Sequence, residues 1–263
     1  MSKKKKEKYV IKQGITGVGM DYNVYNMNLI EMATGFAIGF AGGFLGSYIM
    51  FKVTVASIIL GVIIGVVFIP VYKKHLQKKR HNVLIMQFRD LLDSLSNSFS
   101  AGKNTAGAFE DAYNDMAMLY GDKGYITREV KIINDGLINN YVIEDLIADL
   151  ALRTAIDDIE SFAQVFGVCN RLGGNLKKVV SDSRDIINEK IEIEMEINTT
   201  ISSNKNEINI LCIMPFVIVS MMGMLGNESI TANTPLNVLV KCVALAMFAG
   251  AYYIGKKVTD IKI

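Results

Sequence analysis

Two uncharged stretches follow one another near the start of this chain of 263 residues, and they constrain its fold more than any other feature. Neither residues 33–51 nor residues 53–72 contain a charged side chain. At about 1.5 Å per residue, a helix of either length spans about 30 Å, the thickness of the hydrocarbon layer of a membrane. One continuous helix would be about twice that thickness. We therefore predict a transmembrane hairpin that turns at or near Lys52.

Two further apolar stretches lie near the end of the chain. Residues 208–225 are interrupted only by Asn209 and Pro215, and a membrane helix tolerates a proline because neighbouring groups satisfy the freed carbonyl. Residues 236–254 form the other stretch, and Lys241 is close enough to its start to extend towards the interface. The sequence therefore predicts an all-α integral membrane protein, with two N-terminal and two C-terminal transmembrane helices that flank a cytoplasmic helical-bundle domain.

The predicted organisation has five parts. They are a cytoplasmic or interfacial N-terminal segment, a transmembrane hairpin, a cytoplasmic helical domain, a second transmembrane hairpin and a cytoplasmic tail, at residues 1–32, 33–72, 73–207, 208–254 and 255–263. The lysines at the N-terminus are not followed by the apolar core of a signal peptide, so we expect no cleaved signal.

The distribution of lysine and arginine predicts the orientation of the helices. Basic residues precede the first apolar stretch, follow the second and follow the fourth, whereas the other side carries only Lys52 and Lys241. Because cytoplasmic loops are enriched in lysine and arginine, we expect a multi-pass protein of the cytoplasmic (inner) membrane with both termini in the cytoplasm. The basic runs would lie against anionic membrane lipid. A formal net charge of only +2 gives no reason to expect nucleic acid as a partner.

Glycines recur at intervals of four residues in the first hairpin, as in the pairs Gly39 and Gly43, and Gly61 and Gly65. Small residues at this spacing let membrane helices approach closely. We expect these glycines and Pro215 to serve the packing of membrane helices, either within the hairpin or against another subunit. The membrane stretches have no Asp, Glu, Arg or His at their centres. Such groups mark ion and proton pathways, so their absence argues against a pump.

The middle of the chain, residues 82–207, has the three-to-four residue spacing of successive amphipathic helices. Its clearest apolar stripe consists of Leu84, Phe88, Leu91, Leu92, Leu95 and Phe99. We predict that this helix ends at residues 100–102 and that later helices begin near residues 105, 127, 142 and 157. No glycine or proline occurs from residue 176 to 207. The last helix should therefore run directly into the third membrane stretch, either as a mechanical connector or as a plain linker.

Few residues have the pattern of a catalytic or metal site. The sequence lacks the GxxxxGK[ST] phosphate loop, its three cysteines have no CxxC spacing, and its two histidines have no partner at ligand spacing. We expect no catalytic residue, no cofactor and no metal. The acidic residues Asp157, Asp158 and Glu160 begin a predicted helix, where they favour its dipole. A divalent-metal site there is the weaker alternative.

Five residues of the middle segment are candidates for contact with a partner. Arg153, Arg171 and Arg184 are charges that we expect at the surface, where a partner protein or an intradomain pair would use them. Gly173 and Gly174 precede a predicted helix. We favour a helix–helix turn at these glycines over an anion site at the helix N-terminus.

Three segments of the chain resemble the type II secretion F-protein domain. Residues 100–109, SAGKNTAGAF, resemble its "aG.sl..Al" element, and residues 166–176, FGVCNRLGGNL, resemble its G-G-x-L helix junction. Residues 206–207 followed by the Met-Pro-Phe at 214–216 are similar to the start of its third membrane helix. The segments occur in the family's order over residues 80–225, and within the family they resemble the platform proteins of Tad (tight adherence) pilus machines.

This resemblance implies a cytoplasmic-membrane platform of a type IV-like (Tad/Flp) pilus or type II secretion machine. Such a platform couples a hexameric cytoplasmic secretion ATPase to the extraction and assembly of pilin subunits, without enzymatic activity of its own. Larger relatives carry two copies of the cytoplasmic domain and this chain carries one, so we expect it to act as an oligomer or with a paralogous platform protein.

Two other classes of function remain as alternatives. A small multi-helix transporter or channel component would line a pore with these helices, and the missing central charges argue against it. A membrane signalling protein would need an external sensor, for which loops of about ten residues leave no room.

Overall fold

The structure is a computed structural model. It describes residues 13–224 and, beyond them, residues 234, 237–241, 243, 244, 247 and 250. The N-terminal lysines and the predicted tail at 255–263 lie outside the described residues. The same is true of most of residues 226–235, between the third and fourth predicted stretches, and of much of the fourth stretch, residues 236–254.

The described part of the chain is all-helical, as predicted. Its helices are α1 (Leu29–Phe51), α2 (Thr54–Ser100), α3 (Thr105–Tyr120), α4 (Tyr125–Ile138), α5 (Ile143–Thr154), α6 (Asp157–Leu172) and α7 (Leu176–Met224). Residues 237–241 are also helical. The predicted third membrane stretch is the last part of α7, in which Pro215 lies inside the helix.

The chain forms two compact units. One contains residues 1–26 and 74–191, and we call its described residues the helical domain. The other contains residues 27–73 and 192–263, and we call its described residues the apolar unit. Both α2 and α7 contribute residues to each unit. The predicted N-terminal segment is therefore divided between the units, because residues 13–26 belong with the helical domain.

The apolar unit contains the predicted N-terminal hairpin. Helix α1 ends at Phe51 and α2 begins at Thr54, with Lys52 in the left-handed region at φ 49°. Helix α1 begins four residues before the predicted residue 33, after Asn28, whose N–H donates to the Glu31 carboxylate at 2.9 Å. This bond satisfies one of the backbone donors at the start of the helix.

Two helices among the described residues are long and apolar enough to cross a membrane, namely α1 and the first part of α2. In each, only 17% of the most apolar stretch is buried within the structure. The core helix of a water-soluble protein would be mostly buried, so this exposure favours a membrane location.

The helical domain has its core where the apolar periodicity predicts it. Leu84, Phe88, Leu91, Leu92 and Leu95 of α2 are all buried, and they pack with apolar side chains of α3 to α7. The ring of Phe88 meets that of Phe162 edge to face at 5.5 Å between centroids. Burial of these side chains holds the helices of the domain together.

The ends of the domain's helices follow the predicted signals closely. The Asn104 side chain accepts a hydrogen bond from the N–H of Gly107 at 2.9 Å, which caps α3 at its predicted start near residue 105. Helix α4 begins at Tyr125, two residues before the predicted Thr127, and the Thr127 hydroxyl instead donates to the carbonyl of Met116. The predicted helices near residues 142 and 157 are α5 and α6.

Candidate functional site

An ionic cluster lies inside the helical domain, between α4 and α5. Arg153 donates two hydrogen bonds to the carboxylate of Glu129, at 2.9 and 2.6 Å, and its Nε donates to Asp149 at 2.7 Å. The Arg153 and Glu129 side chains are only 2% and 1% exposed. A planar guanidinium matches a carboxylate in this two-bond geometry. The cluster therefore holds three charges in matched positions away from water.

The segment before α1, residues 13–26, closes over this cluster, and we call it the strap. The Tyr22 hydroxyl donates to Glu129 Oε1 at 2.9 Å, and the Ile15 N–H donates to Asp149 Oδ1 at 2.9 Å. The Tyr22 N–H donates to the Arg153 carbonyl at 3.0 Å. The first two bonds give each carboxylate a further donor besides Arg153, and such additional hydrogen bonds help a buried ionic group to be tolerated.

Two glycines let the strap lie directly on the cluster. A Cβ atom on Gly19 would lie 2.5 Å from Arg153 Cζ, and one on Gly14 would lie 2.5 Å from an Asp149 carboxylate oxygen. Gly14 also has φ +78°, in the left-handed region that favours glycine. Any other residue at position 19 would displace the strap or the guanidinium.

Helix α2 also holds the strap through hydrogen bonds. Arg80 donates to the carbonyl of Tyr22 and, at 3.1 Å, to that of Val24, while Gln77 donates to the carbonyl of Asn23 at 2.8 Å. A ring nitrogen of His81 also lies 3.1 Å from the Tyr22 carbonyl oxygen. The His81 side chain is half-buried there. The strap is thus bonded to α2, α4 and α5.

The surroundings raise the pKa values of Tyr22 and Arg153, which favours the protonated forms that donate these bonds. Burial, followed by the nearby Glu129 carboxylate, raises the pKa of Tyr22 far above its usual value, so the hydroxyl stays a donor. Burial alone would lower the pKa of Arg153, but hydrogen bonds and charge from Glu129 and Asp149 outweigh it and raise that pKa. Arg153 therefore stays charged and Tyr22 stays neutral across the physiological pH range.

The three arginines proposed from sequence as partner contacts lie in different places. Arg153 is in the interior, so our expectation of a surface position for this residue is wrong. Arg171 is exposed in the last turn of α6. Arg184 of α7 is bound to Asp185 at 2.7 Å and to Asp93 of α2 at 3.1 Å, and these carboxylates raise its pKa. A partner contact by Arg171 or Arg184 stays a prediction.

Gly173 and Gly174 form the turn between α6 and α7, as we favoured. Gly173 has φ +68° and its N–H donates to the carbonyl of Cys169, and the Gly174 N–H donates to the same carbonyl at 2.8 Å. A glycine in the left-handed region is the common way to end a helix. A Cβ atom on Gly174 would lie 2.5 Å from Cys169 Sγ, a free thiol.

The acidic residues at the start of α6 are used in helix contacts. Asp158 accepts a hydrogen bond from Lys190 Nζ of α7 at 2.8 Å, which joins the two helices. Glu160 accepts from Gln164 at 3.4 Å within α6. These two carboxylates thus have roles in the fold besides the favourable interaction with the helix dipole.

Four glycines of the apolar unit face each other across the hairpin. A Cβ atom on Gly39 would lie 3.0 Å from Cα of Gly65, and one on Gly43 would lie 3.2 Å from Cα of Gly61. The structure therefore brings all four into the contact between α1 and α2. Pro215 is half-buried in α7, and the ring of the next residue, Phe216, lies 3.6 Å from the Cβ position of Gly46.

Sequence reasoning missed the strap, Glu129 and the inward position of Arg153. A usable signal was the triplet Gly14, Gly17 and Gly19 in a segment that also carries the apolar residues Val18 and Tyr22. Glycine at such density indicates either a turn or a close approach of backbone. Position 129 offered no comparable signal, because a glutamate in an amphipathic helix is usually solvated.

Comparison with known proteins adds no relative, since no family model, curated protein or solved structure matches this chain.

Proposed function

We propose that the protein is the membrane platform of a Tad/Flp-type pilus or type II secretion machine, which passes the motion of a cytoplasmic ATPase to pilin subunits. In this proposal the chain is a multi-pass protein of the cytoplasmic membrane with four spans and both termini in the cytoplasm. It has no enzymatic activity of its own. Its partners are a hexameric secretion ATPase, pilin subunits, membrane lipid and a paralogous platform protein or further copies of itself.

The continuity of α2 and α7 is the observation that carries this proposal. The chain passes between the apolar unit and the helical domain at residues 26–27, 73–74 and 191–192, and the last two positions lie inside these helices. Helical backbone hydrogen bonds continue through residues 73–74 and through residues 191–192. A load applied to the helical domain therefore has two helical routes to the apolar unit, as a platform that moves pilin requires.

The positions of the resembling segments support the same proposal. Residues 100–109 span the junction of α2 and α3, and residues 166–176 span the junction of α6 and α7. The second junction is of the kind that the resemblance implies, a G-G-x-L turn between two helices. The exposed basic residues Lys73, Lys74, Lys78 and Lys79, directly after the apolar part of α2, support the proposed orientation.

Deletion of the gene in its native host tests the proposed function. We expect loss of surface pili while pilin persists in the membrane fraction, and recovery of pili when the wild-type gene is restored. Normal piliation in the deletion strain would contradict the proposal.

A break in α7 tests the proposed route of force. Glu192 is exposed at the unit boundary, and a proline there removes a helical hydrogen bond at a cost of about 3 kcal/mol. Glu192→Pro should accumulate in the membrane at wild-type level but fail to restore pili, whereas Glu192→Ala should restore them. Full piliation with the proline variant would exclude α7 as a required route.

A further inference from the structure

A groove of about 760 Å³ runs along the helical domain between α5 and α6. The two helices are antiparallel there, since Asn170 near the end of α6 donates to Glu144 near the start of α5 at 3.1 Å. Small buried residues form its floor, namely Ala151, Ala163 and Gly167. Small side chains on both helices leave a trough where larger ones would fill the space. We call it the α5–α6 groove.

The edges of the α5–α6 groove are apolar and uncovered. Leu152 is 61% exposed, Val168 is 60% exposed and Leu172 is 81% exposed. All three line the groove, so their apolar surface is contiguous with its floor. Contiguous exposed apolar surface of this kind marks an interaction site on a water-exposed domain.

The length of the groove suits a helix as its occupant. Its α5 side runs from Glu144 to Ala155, which is about 16 Å or three helical turns. An amphipathic helix presents an apolar stripe of this length with three or four side chains at i, i+3, i+4 and i+7. The small floor residues give such side chains room to insert.

The charges around the groove determine which polar residues are favourable in that helix. Asp145 and Glu160 are exposed at opposite ends of the groove, Glu144 is half-buried beside Asp145, and Arg171 is the single basic residue of the lining. The excess of acid favours a helix with lysine or arginine beside its apolar stripe. It disfavours pairing of this face with the same face of a second copy, which would bring like charges together. It also disfavours anionic lipid.

We propose that the α5–α6 groove is the docking site for a basic amphipathic helix of a partner protein. About three turns of that helix place apolar side chains over the floor, and its lysines or arginines reach the carboxylates of Asp145 and Glu160. The inference goes beyond the platform proposal, because it follows from the shape and charge of the groove and applies to whichever partner supplies the helix.

Site-specific photocrosslinking of the full-length protein in its native host tests this inference. The photoreactive residue p-benzoylphenylalanine replaces Leu152 or Val168 in the groove and, as a control, Met118 of α3, which is 88% exposed. Mass spectrometry then identifies the peptide joined to each position. We expect adducts only at the groove positions, and a joined peptide with apolar residues at helical spacing and a net positive charge.

Charge reversal tests the role of the acidic ends. Glu160→Lys and Asp145→Lys should each lower the adduct yield at Val168 at least about tenfold, since close charge pairs at interfaces contribute more than about 1.4 kcal/mol. Glu110→Lys, an exposed position on α3, should leave the yield unchanged. The inference is overturned if the groove positions give no more adduct than Met118, or if charge reversal has no effect. It is also overturned if the joined molecule is an acidic peptide, a lipid or a second copy of this chain.

Discussion

Arg153 of α5 and Glu129 of α4 form a two-bond ion pair in the interior of the helical domain, and the strap closes over it through Tyr22. The pair links residues that are 24 positions apart in sequence. The Tyr22 hydroxyl then adds a partner 107 positions away from Glu129. The pair thus joins the segment before α1 to the middle of the bundle.

Removal of either partner should destabilise the protein strongly. Arg153→Ala leaves Glu129 buried without its counter-charge, and Glu129→Ala does the same to Arg153. Each should lower the free energy of unfolding by about 3–5 kcal/mol. The double variant should lose much less than the sum of the two, because no unpaired partner of this ion pair remains. Melting of the full-length protein in detergent measures these values.

Arg171→Ala is the matched control for this experiment. Arg171 is exposed, so its removal should change the free energy of unfolding by no more than about 0.5 kcal/mol. An additive result for Arg153 and Glu129 would show that the ion pair does not couple α4 to α5.

The strap itself should respond to a single added methyl group. In Gly19→Ala the new Cβ would lie 2.5 Å from Arg153 Cζ, and such overpacking costs about 1–3 kcal/mol. We expect faster hydrogen exchange at the amides of Ile15 and Tyr22, which bond to Asp149 and Arg153. The effect should shrink in an Arg153→Ala background, where the clashing group is absent. Equal acceleration in both backgrounds would contradict the proposed contact.

Sequence predicted the helices well because their signals are local. The stripe from Leu84 to Leu95, the helix start near residue 105 and the Gly173 stop each depend on neighbours within one or two turns, and each is present in the structure. The same reasoning placed the hairpin turn at Lys52, because two uncharged stretches of membrane length meet there.

The strap and the inward position of Arg153 could not be predicted in this way. The bond from Ile15 to Asp149 joins residues 134 positions apart, and no local periodicity encodes such a partner. An arginine in an amphipathic helix is usually exposed. Its burial depends on a second charge, Glu129, on another helix, and on a strap whose glycines allow close approach. These features belong to tertiary packing, which the pattern of a single segment does not determine.

The contribution of Tyr120 to the stability of the folded protein depends on pH in the alkaline range. Burial, followed by its hydrogen bond to Asp90, raises the pKa of Tyr120 from 10.0 to about 12. Between these values the unfolded chain has lost a proton that the folded protein keeps. The stability that this bond contributes is therefore complete below pH 10 and is lost as the pH rises through about 12.

Tyr120→Phe removes this dependence. We expect the melting temperature of the wild type to fall more steeply with pH than that of the variant over this window. The difference in tyrosinate absorbance between the two proteins should show one group that titrates near pH 12. A difference spectrum with its midpoint near pH 10 would mean that the bond between Tyr120 and Asp90 does not form.

A glycine at the turn between α5 and α6 should stabilise the protein. Ala155 has φ 47°, a left-handed conformation that costs a residue with a Cβ atom about 1–2 kcal/mol. Ala155→Gly relieves this strain, and we expect a gain of about 1 kcal/mol and a melting temperature higher by a few degrees. Ala148→Gly, in the interior of α5, should instead lower the free energy of unfolding by about 1 kcal/mol. The same sign for both variants would contradict the assigned backbone conformation.

The contact between α1 and α2 can be tested with two glycines of the same helix. A Cβ atom on Gly39 would lie 2.7 Å from Cβ of Phe68 and 3.0 Å from Cα of Gly65, whereas one on Gly42 would have no neighbour within 4 Å. Gly39→Val should therefore force the helices apart, at a cost of about 1–3 kcal/mol. Gly42→Val adds the same side chain to an open face and should change stability little. Melting of both variants in the same detergent measures these effects. Equal destabilisation would mean that α1 and α2 do not pack through the helix faces that carry Gly39 and Gly65.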